Sequence, residues 1–230
     1  MNKNRMKLLA LLALVAGASF TAGWFAKGSA YRPAAGDQPS AYWLEKKSFF
    51  DTFGTYASIV MIGDSLTDGA EWREMFPGVA VVNRGIDGDT TAGVLRRMES
   101  ITSARARKAF VMIGINDFKD GRTVDVVFED YRTIVSALGK SGMKVFVQST
   151  LQCNEAKAEW IGCAAIQGKI RELNRRLAGL PSTGAVFIDI NAGLAGDGGL
   201  KPDLTSDGVH LNGEGYRVWR DEISKFVLAD

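Results

Sequence analysis

Two short segments, far apart in the chain, carry the residue types that nucleophilic catalysis by a serine requires. Ser65 ends the sequence Gly63-Asp64-Ser65, and His210, the single histidine, follows Asp207 by three residues. That offset lets one turn of the chain aim the Asp207 carboxylate at Nδ1 of the imidazole. A histidine can then take the serine proton while the carboxylate fixes the imidazole tautomer and stabilises the imidazolium. Ser65, His210 and Asp207 are therefore candidates for the nucleophile, the base and the orienting acid.

Acyl transfer by a serine also needs hydrogen-bond donors for the oxyanion of the tetrahedral intermediate. Gly88 offers a backbone N–H from a glycine-rich turn, Asn116 offers a side-chain amide, and the Ser65 N–H could supply a third donor. Each residue also has an ordinary structural explanation. Ser65 or Asp64 could cap a helix, Gly88 could serve only the turn, and Asn116 could be another cap.

The segments that must position these residues alternate between two patterns. Short apolar runs predict strands, and stripes of apolar residues at helical spacing predict helices between them. Alternating strands and helices favour a parallel, doubly wound α/β sheet, in which the turns after the strands share one edge. The four predicted turns that carry candidate residues, 63–65, 83–90, 114–117 and 207–212, are then expected to meet there. The predicted strands are 58–62, 79–82, 109–113, 144–148 and 185–190, and the stripes contain Val94, Met98 and Ile101; Val127, Tyr131, Ile134, Val135 and Leu138; Ile166, Ile170, Leu173 and Leu177; and Tyr216, Trp219, Ile223 and Phe226.

Four sequence blocks, in order, resemble those of the SGNH or GDSL hydrolases. They are Gly63-Asp64-Ser65-Leu66, Gly85-Ile86-Asp87-Gly88-Asp89-Thr90, Gly114-Ile115-Asn116-Asp117 and Asp207-Gly208-Val209-His210. The resemblance covers about residues 56–228, and the segments 71–76 and 83–91 are most similar to the platelet-activating-factor acetylhydrolase-like branch.

That resemblance implies a flavodoxin-like three-layer α/β/α sandwich with a five-stranded parallel sheet. It implies Ser65 as nucleophile, His210 as general base and acid, and Asp207 as the orienting acid. It also implies an oxyanion hole formed by the Ser65 N–H, Gly88 and Asn116. Gly85 fits the glycine position of the family pattern less well than Gly88 and is the second choice.

The leading functional hypothesis is an exported carboxylic-ester hydrolase that removes a short acyl group, acetyl above all, from a small molecule or a glycan. A lysophospholipase or thioesterase with the same machinery is the alternative, and a non-catalytic envelope-binding module is the alternative from another class. One histidine and scattered acids predict no metal site, and the sequence contains no phosphate-binding or dinucleotide-binding glycine motif. We therefore expect no cofactor.

The N-terminus has the pattern of a targeting segment. Lys3, Arg5 and Lys7 precede an uncharged run at 8–26 that would span roughly 28 Å as a helix, close to the thickness of a bilayer core. We expect residues 1–30 to be either a signal peptide or an inner-membrane anchor. Ala16-Gly17-Ala18 fits a cleavage site after a short apolar core, and Gly28-Ser29-Ala30 fits one less well. The rest would then be periplasmic or extracellular. Residues 31–55 are predicted to be a tether and an N-terminal arm, with a short helix or arm over residues 42–53, and 56–230 the hydrolase domain.

Charge and cysteine content agree with this placement. The formal net charge of +2 arises in the first 30 residues, which hold four bases and no acid, so the remainder carries 24 bases against 26 acids. Nothing in that balance favours nucleic acid as a partner.

Cys153 and Cys163 lie in one polar loop, predicted at 149–165. In an exported protein such a pair is expected to form a disulfide, and two unpaired thiols are the alternative.

Overall fold

A computed structural model describes residues 39–180 and 184–229, and a five-stranded parallel sheet lies at its centre. The order is β2-β1-β3-β4-β5, with every neighbouring pair parallel. The chain therefore reverses its direction of winding between β1 and β3, which is where open α/β sheets bind ligands. The predicted sheet is confirmed, with strands β1 (Ile59–Gly63), β2 (Val81–Gly85), β3 (Lys108–Met112), β4 (Lys144–Gln148) and β5 (Val186–Ile188).

The second strand differs from its predicted bounds of 79–82. Asn83, Arg84 and Gly85 were expected in the following turn, yet they form the end of β2. Asn83 is accommodated because its side chain donates to the Asp68 carbonyl (2.9 Å) and accepts from the Gly85 N–H (2.8 Å). At Gly85 a Cβ would lie 2.2 Å from the backbone nitrogen of Asp68, so this glycine permits close packing and is not a turn residue. The fifth strand is also shorter than its predicted 185–190.

Helices cover both faces of the sheet and give the predicted three layers. The apolar residues divide into two cores, one that includes Val111, Tyr131 and Ile170 and one that includes Phe110 and Trp219. The helices are α1 (Ala41–Thr52), α2 (Ser65–Asp68), α3 (Trp72–Met75), α4 (Thr91–Arg96), α5 (Met98–Thr102), α6 (Ile115–Lys119), α7 (Val124–Lys140), α8 (Cys163–Leu177), α9 (Asn191–Leu194) and α10 (Gly213–Leu228). A two-stranded antiparallel pair, β6 (Ala195–Gly196) and β7 (Gly199–Leu200), follows α9.

Two helix boundaries depart from the sequence pattern. The stripe of Val94, Met98 and Ile101 predicted one helix, but Arg97 separates α4 from α5. Arg97 is fully buried and its guanidinium reaches a carboxylate and a carbonyl, which we describe below. The loop predicted to end at 165 ends at Gly162, because α8 begins at Cys163.

The helix or arm predicted over residues 42–53 is present as α1, which buries Trp43 and Phe50 against Ile86. The targeting segment and most of the tether lie outside the described residues. Within the ranges that the structure describes, no helix is long and apolar enough to cross a membrane.

Candidate active site

Ser65 lies at the point where β1 turns into α2. Gly63 makes this turn possible, because a Cβ there would lie 2.1 Å from Thr67 Oγ1 and 2.3 Å from the Met112 carbonyl. Asp64, not Ser65, caps the helix, since its Oδ1 accepts the Leu66 N–H at 3.1 Å. The Ser65 hydroxyl is consequently left for another partner.

That partner is His210, and Asp207 completes a chain of three side chains. Ser65 Oγ lies 3.0 Å from His210 Nε2, and His210 Nδ1 lies 2.7 Å from Asp207 Oδ2. The second carboxylate oxygen accepts the backbone N–H groups of Val209 (2.9 Å) and His210 (2.8 Å). The one-turn arrangement expected from the three-residue spacing is therefore present, and this geometry would allow the imidazole to accept the serine proton.

The carboxylate of Asp207 is held in its ionised form. Partial burial opposes ionisation, but the hydrogen bonds from the His210 ring and from two backbone N–H groups outweigh it and lower the pKa of Asp207 to about 2. An ionised Asp207 favours the tautomer in which His210 Nδ1 carries the proton and Nε2 accepts from Ser65.

Ser65 and His210 open into a cavity of about 330 Å³. Gly88 and Asn116 line the same cavity, and Gly88 has a left-handed conformation with φ of +72°. Four of the five predicted site residues therefore line one cavity. The fifth, Asp207, does not line it and is hydrogen-bonded to the His210 ring. Gly85 is not at the cavity, which favours Gly88 over the second choice. The remaining wall consists of apolar and polar side chains: Ile115, Ile161 and Val209, and Asp87, Lys119 and Trp160.

One wall of the cavity comes from the loop after β4. Cys153 and Cys163 form a disulfide across this loop, as expected, with their Cα atoms 6.0 Å apart. Between them a short 3₁₀ helix, Glu159–Ile161, carries Trp160 to the cavity. The polar loop predicted at 149–165 therefore forms one wall of the cavity.

The sequence profile of the GDSL-like lipase/acylhydrolase family matches residues 61–218, which is more than half of the chain. The chain belongs to this family.

Two curated proteins illustrate the breadth of its relatives. The chain is 29% identical over 173 residues to the platelet-activating factor acetylhydrolase IB subunit alpha1 of Bos taurus, covering 69% of each protein. It is 27% identical over 183 residues to the N-acylneuraminate cytidylyltransferase of Streptococcus agalactiae, covering 79% of this chain. The chain spans only 41% of that streptococcal protein.

Solved structures share the fold. A putative acylhydrolase from Bacteroides fragilis superimposes with a TM-score of 0.72 at 24% identity, covering 83% of this chain and 98% of that one. An acetylxylan esterase from Geobacillus stearothermophilus, solved as a catalytic mutant, superimposes with a TM-score of 0.60 at 18% identity, covering 77% and 97%. At these identities the likeness concerns the GDSL fold alone.

Around the GDSL motifs, the structure adds contacts that the sequence analysis missed. Asp89, next to Gly88, is buried and is the centre of a network. Its carboxylate accepts from Trp43 Nε1 (2.9 Å) and from Arg97 Nε (2.8 Å), and its carbonyl accepts from Asn116 Nδ2 (3.0 Å). Arg97 also donates to the Gly63 carbonyl at 3.3 Å. The turn that bears Gly88 is thereby joined to α1, to α6 and to the end of β1.

Helix α1 makes a second attachment beside the serine. Tyr42 donates its hydroxyl to Asp68 Oδ2 (2.6 Å), and Lys46 pairs with Asp68 Oδ1 (2.6 Å). Asp68 ends α2 and also accepts the Asp87 N–H at 3.2 Å. No periodicity in the sequence could reveal these contacts, because they join residues 19 to 26 positions apart.

Two buried carboxyls lie under the site. Burial raises the pKa of Asp64 to about 7, and its Oδ2 has no hydrogen-bond partner among the described residues. Burial also raises the pKa of Asp117 to about 6, although Thr91 and Arg122 donate to that carboxyl. In the ranges described, no group of three or more histidine, cysteine or acidic side chains is placed to hold a metal ion.

Proposed function

We propose that this chain is an exported serine esterase that removes short acyl groups, acetyl above all, from a hydroxyl-bearing acceptor. Ser65 is the nucleophile, His210 the general base and acid, and Asp207 the orienting acid. The observation that carries the proposal is the continuous hydrogen-bonded chain Ser65–His210–Asp207, which opens into a cavity lined by Gly88 and Asn116.

In the first half-reaction, His210 Nε2 takes the proton of Ser65 Oγ as that oxygen forms a bond to the ester carbonyl carbon. The carbonyl oxygen becomes an oxyanion that accepts hydrogen bonds from the N–H groups of Gly88 and Ser65 and from Asn116 Nδ2. One amide hydrogen of Asn116 is already donated to the Asp89 carbonyl, which orients the group and leaves the other hydrogen for the oxyanion. The intermediate collapses when the imidazolium gives its proton to the leaving alkoxide.

In the second half-reaction, water replaces the departed alcohol. His210 takes a proton from the water, the resulting hydroxide adds to the acyl-serine carbonyl, and the same donors bind the second oxyanion. The proton then returns to Ser65 Oγ as the acid leaves. Asp207, ionised because its pKa is about 2, stabilises the imidazolium in both steps.

Short acyl chains suit the cavity. The apolar part of its lining is limited to Ile115, Ile161, Val209 and the Trp160 ring, within about 330 Å³, and the charged residues Asp87 and Lys119 line the same cavity. A long alkyl chain would have to desolvate those charged groups. Both the bovine acetylhydrolase subunit and the acetylxylan esterase bear names that specify acetyl groups, which supports the proposal.

The direct test measures hydrolysis of p-nitrophenyl esters from acetate to decanoate by wild type and Ser65→Ala. We expect activity to peak at acetate and to fall by about 10⁵–10⁶ in the variant. Asn116→Ala should lower kcat by about 10²–10³ with a smaller change in KM, because its donor acts on the oxyanion. A peak at eight carbons or more would favour the lysophospholipase or thioesterase alternative. Equal activity in wild type and Ser65→Ala would contradict the catalytic assignment, and inactivity of both would favour the binding-module alternative.

Export has its own support and its own test. The basic residues before the apolar run at 8–26 are typical of a targeting segment, and a structural disulfide suits an oxidising compartment. Cell fractionation with thiol labelling should find the protein outside the cytoplasm and unreactive until reduced. A cytoplasmic protein with two reactive thiols would contradict export.

A further inference from the structure

Trp160 has an environment unlike that of the other tryptophans described. Trp43, Trp72 and Trp219 are buried, whereas Trp160 is 60% exposed and lines the cavity beside His210. Its ring centroid lies 6.3 Å from that of His210, with an angle of only 18° between the planes. The indole Nε1 donates to the Asp207 carbonyl at 3.1 Å. The indole is thus fixed in orientation while a large apolar surface stays accessible.

The backbone beneath Trp160 is tied to the segment that bears His210. The Asn154 N–H donates to the Gly208 carbonyl at 2.8 Å, and a Cβ on Gly208 would lie 2.7 Å from the Ala158 nitrogen. The disulfide closes the same loop. A rigid aromatic side chain offers contact area at low cost in conformational entropy, so Trp160 is suited to bind a flat partner next to the reacting ester.

Two charged residues that line the cavity indicate which class of molecule could bind against Trp160. Asp87 and Lys119 are both exposed there, one an acceptor and the other a donor. A pyranose ring has a face of C–H groups that can stack on an aromatic ring and a rim of hydroxyls that can bond to both charges. Lys119 Nζ lies 4.0 Å from Asp120 Oδ1 and is exposed enough to bond to a ligand as well. An acyl tail matches only the aromatic surface and offers no hydrogen-bonding group to Asp87 or Lys119.

We propose that Trp160 is a stacking platform for a pyranose ring of the acyl acceptor, with Asp87 and Lys119 bonding to its hydroxyls. The inference rests on the proposed function, since it names the substrate class of that same site as acylated saccharides. In this arrangement Trp160 selects the alcohol that is released and not the acyl group that is transferred.

The test compares two non-aromatic acetate esters, a mono-O-acetyl methyl glucoside and ethyl acetate, by titrating the acetic acid released. The readout is the ratio of kcat/KM for the sugar ester to that for ethyl acetate. We expect Trp160→Ala to lower this ratio about tenfold, chiefly through KM for the sugar ester, and Trp160→Phe to restore most of it because a flat ring remains. Phe49→Ala, which removes an exposed aromatic ring from α1, should leave the ratio as in wild type.

The outcomes separate this inference from the proposed function. An unchanged ratio in Trp160→Ala, including equal losses on both esters, would overturn the platform and indicate that the indole acts only through His210. A wild type that hydrolyses ethyl acetate at least as well as the sugar ester would also overturn it, while leaving the esterase intact. A wild type that hydrolyses neither ester, nor the p-nitrophenyl series, would overturn the proposed function itself.

Discussion

The turn that bears Gly88 and the loop that bears His210 both line the cavity, yet solvent reaches them differently. Beside Gly88, the ion pair of Asp89 and Arg97 has side-chain exposures of 1% and 0%. The pair of Asp207 and His210 has exposures of 38% and 41%. The Asp89 carboxylate accepts hydrogen bonds from Trp43 and Arg97, which lie 46 and 8 positions away in the chain. The Asp207 carboxylate accepts from the ring and backbone of His210 and from the Val209 N–H, all within four consecutive residues.

The difference in exposure between the two pairs predicts different effects of substitution on stability and on rate. A buried charge that loses its partner destabilises the fold, whereas an exposed pair contributes little to stability. Substitutions near Gly88 should therefore lower both stability and rate, and substitutions at His210 or Asp207 should lower the rate alone.

Among substitutions on the two sides of the cavity, the largest effect on rate is expected for His210→Ala. Without a base, Ser65 keeps its proton and kcat should fall by about 10⁵. The urea midpoint should stay close to that of wild type, because the His210 side chain is 41% exposed and its hydrogen-bond partners are Ser65 and Asp207. Ester hydrolysis and urea unfolding measured on the same preparation test both statements. A large loss of stability in this variant would contradict the expectation that substitutions at His210 lower the rate alone.

The largest effect on stability is expected for Asp89→Asn. The amide keeps the shape of the side chain but leaves the buried Arg97 without a counter-charge, at a cost of about 3–5 kcal/mol in the free energy of unfolding. The matched variant at the exposed pair is Asp207→Asn, which should cost no more than about 1 kcal/mol. That control should nevertheless lose about 10⁴ in kcat. Equal losses in the free energy of unfolding in the two variants would contradict the expectation that only the buried pair stabilises the fold.

A smaller, pH-dependent effect is expected from Asp64. Because its pKa is raised to about 7, the folded state keeps this carboxyl protonated at pH values where the unfolded chain is already ionised. The resulting stabilisation is complete below about pH 4 and is lost as the pH rises through about 7. From pH 5 to pH 8 the wild type should lose about 2–3 kcal/mol more than Asp64→Asn. Parallel stability–pH curves from urea unfolding would show that Asp64 is ionised throughout.

The smallest effect is expected for Trp43→Phe in α1. The ring remains, but Asp89 loses one charge-assisted hydrogen bond, which should cost about 1–2 kcal/mol in stability. The rate should fall a few-fold, through kcat and not KM, because the Gly88 turn is held less firmly. Leu44→Ala, at an exposed position of the same helix, is the control and should change neither quantity. A pure loss of stability with wild-type kcat would limit α1 to a structural role.

The contrast between local contacts at Asp207 and tertiary contacts at Asp89 also explains how much could be predicted from the sequence. Ser65 and the pairing of Asp207 with His210 were predictable, because a strand end and a three-residue spacing are local patterns. The sheet followed from apolar runs for the same reason. The contacts of Trp43 and Arg97 with Asp89 were not predictable, since they depend on side chains brought together by the tertiary fold. The prediction of a turn at Asn83 was wrong. A polar side chain at the end of an apolar run favours a turn, but in the structure the Asn83 side chain donates to the Asp68 carbonyl, a contact that no local pattern shows.

Labelling with a fluorophosphonate would show whether His210 activates Ser65 as a nucleophile. Peptide mass spectrometry should locate one modified residue, Ser65, in the wild type. Ser65→Ala should not be labelled, and His210→Ala should be labelled far more slowly. Labelling at another serine would contradict Ser65 as the nucleophile, and labelling of Ser65 at the same rate with and without His210 would contradict its activation by His210.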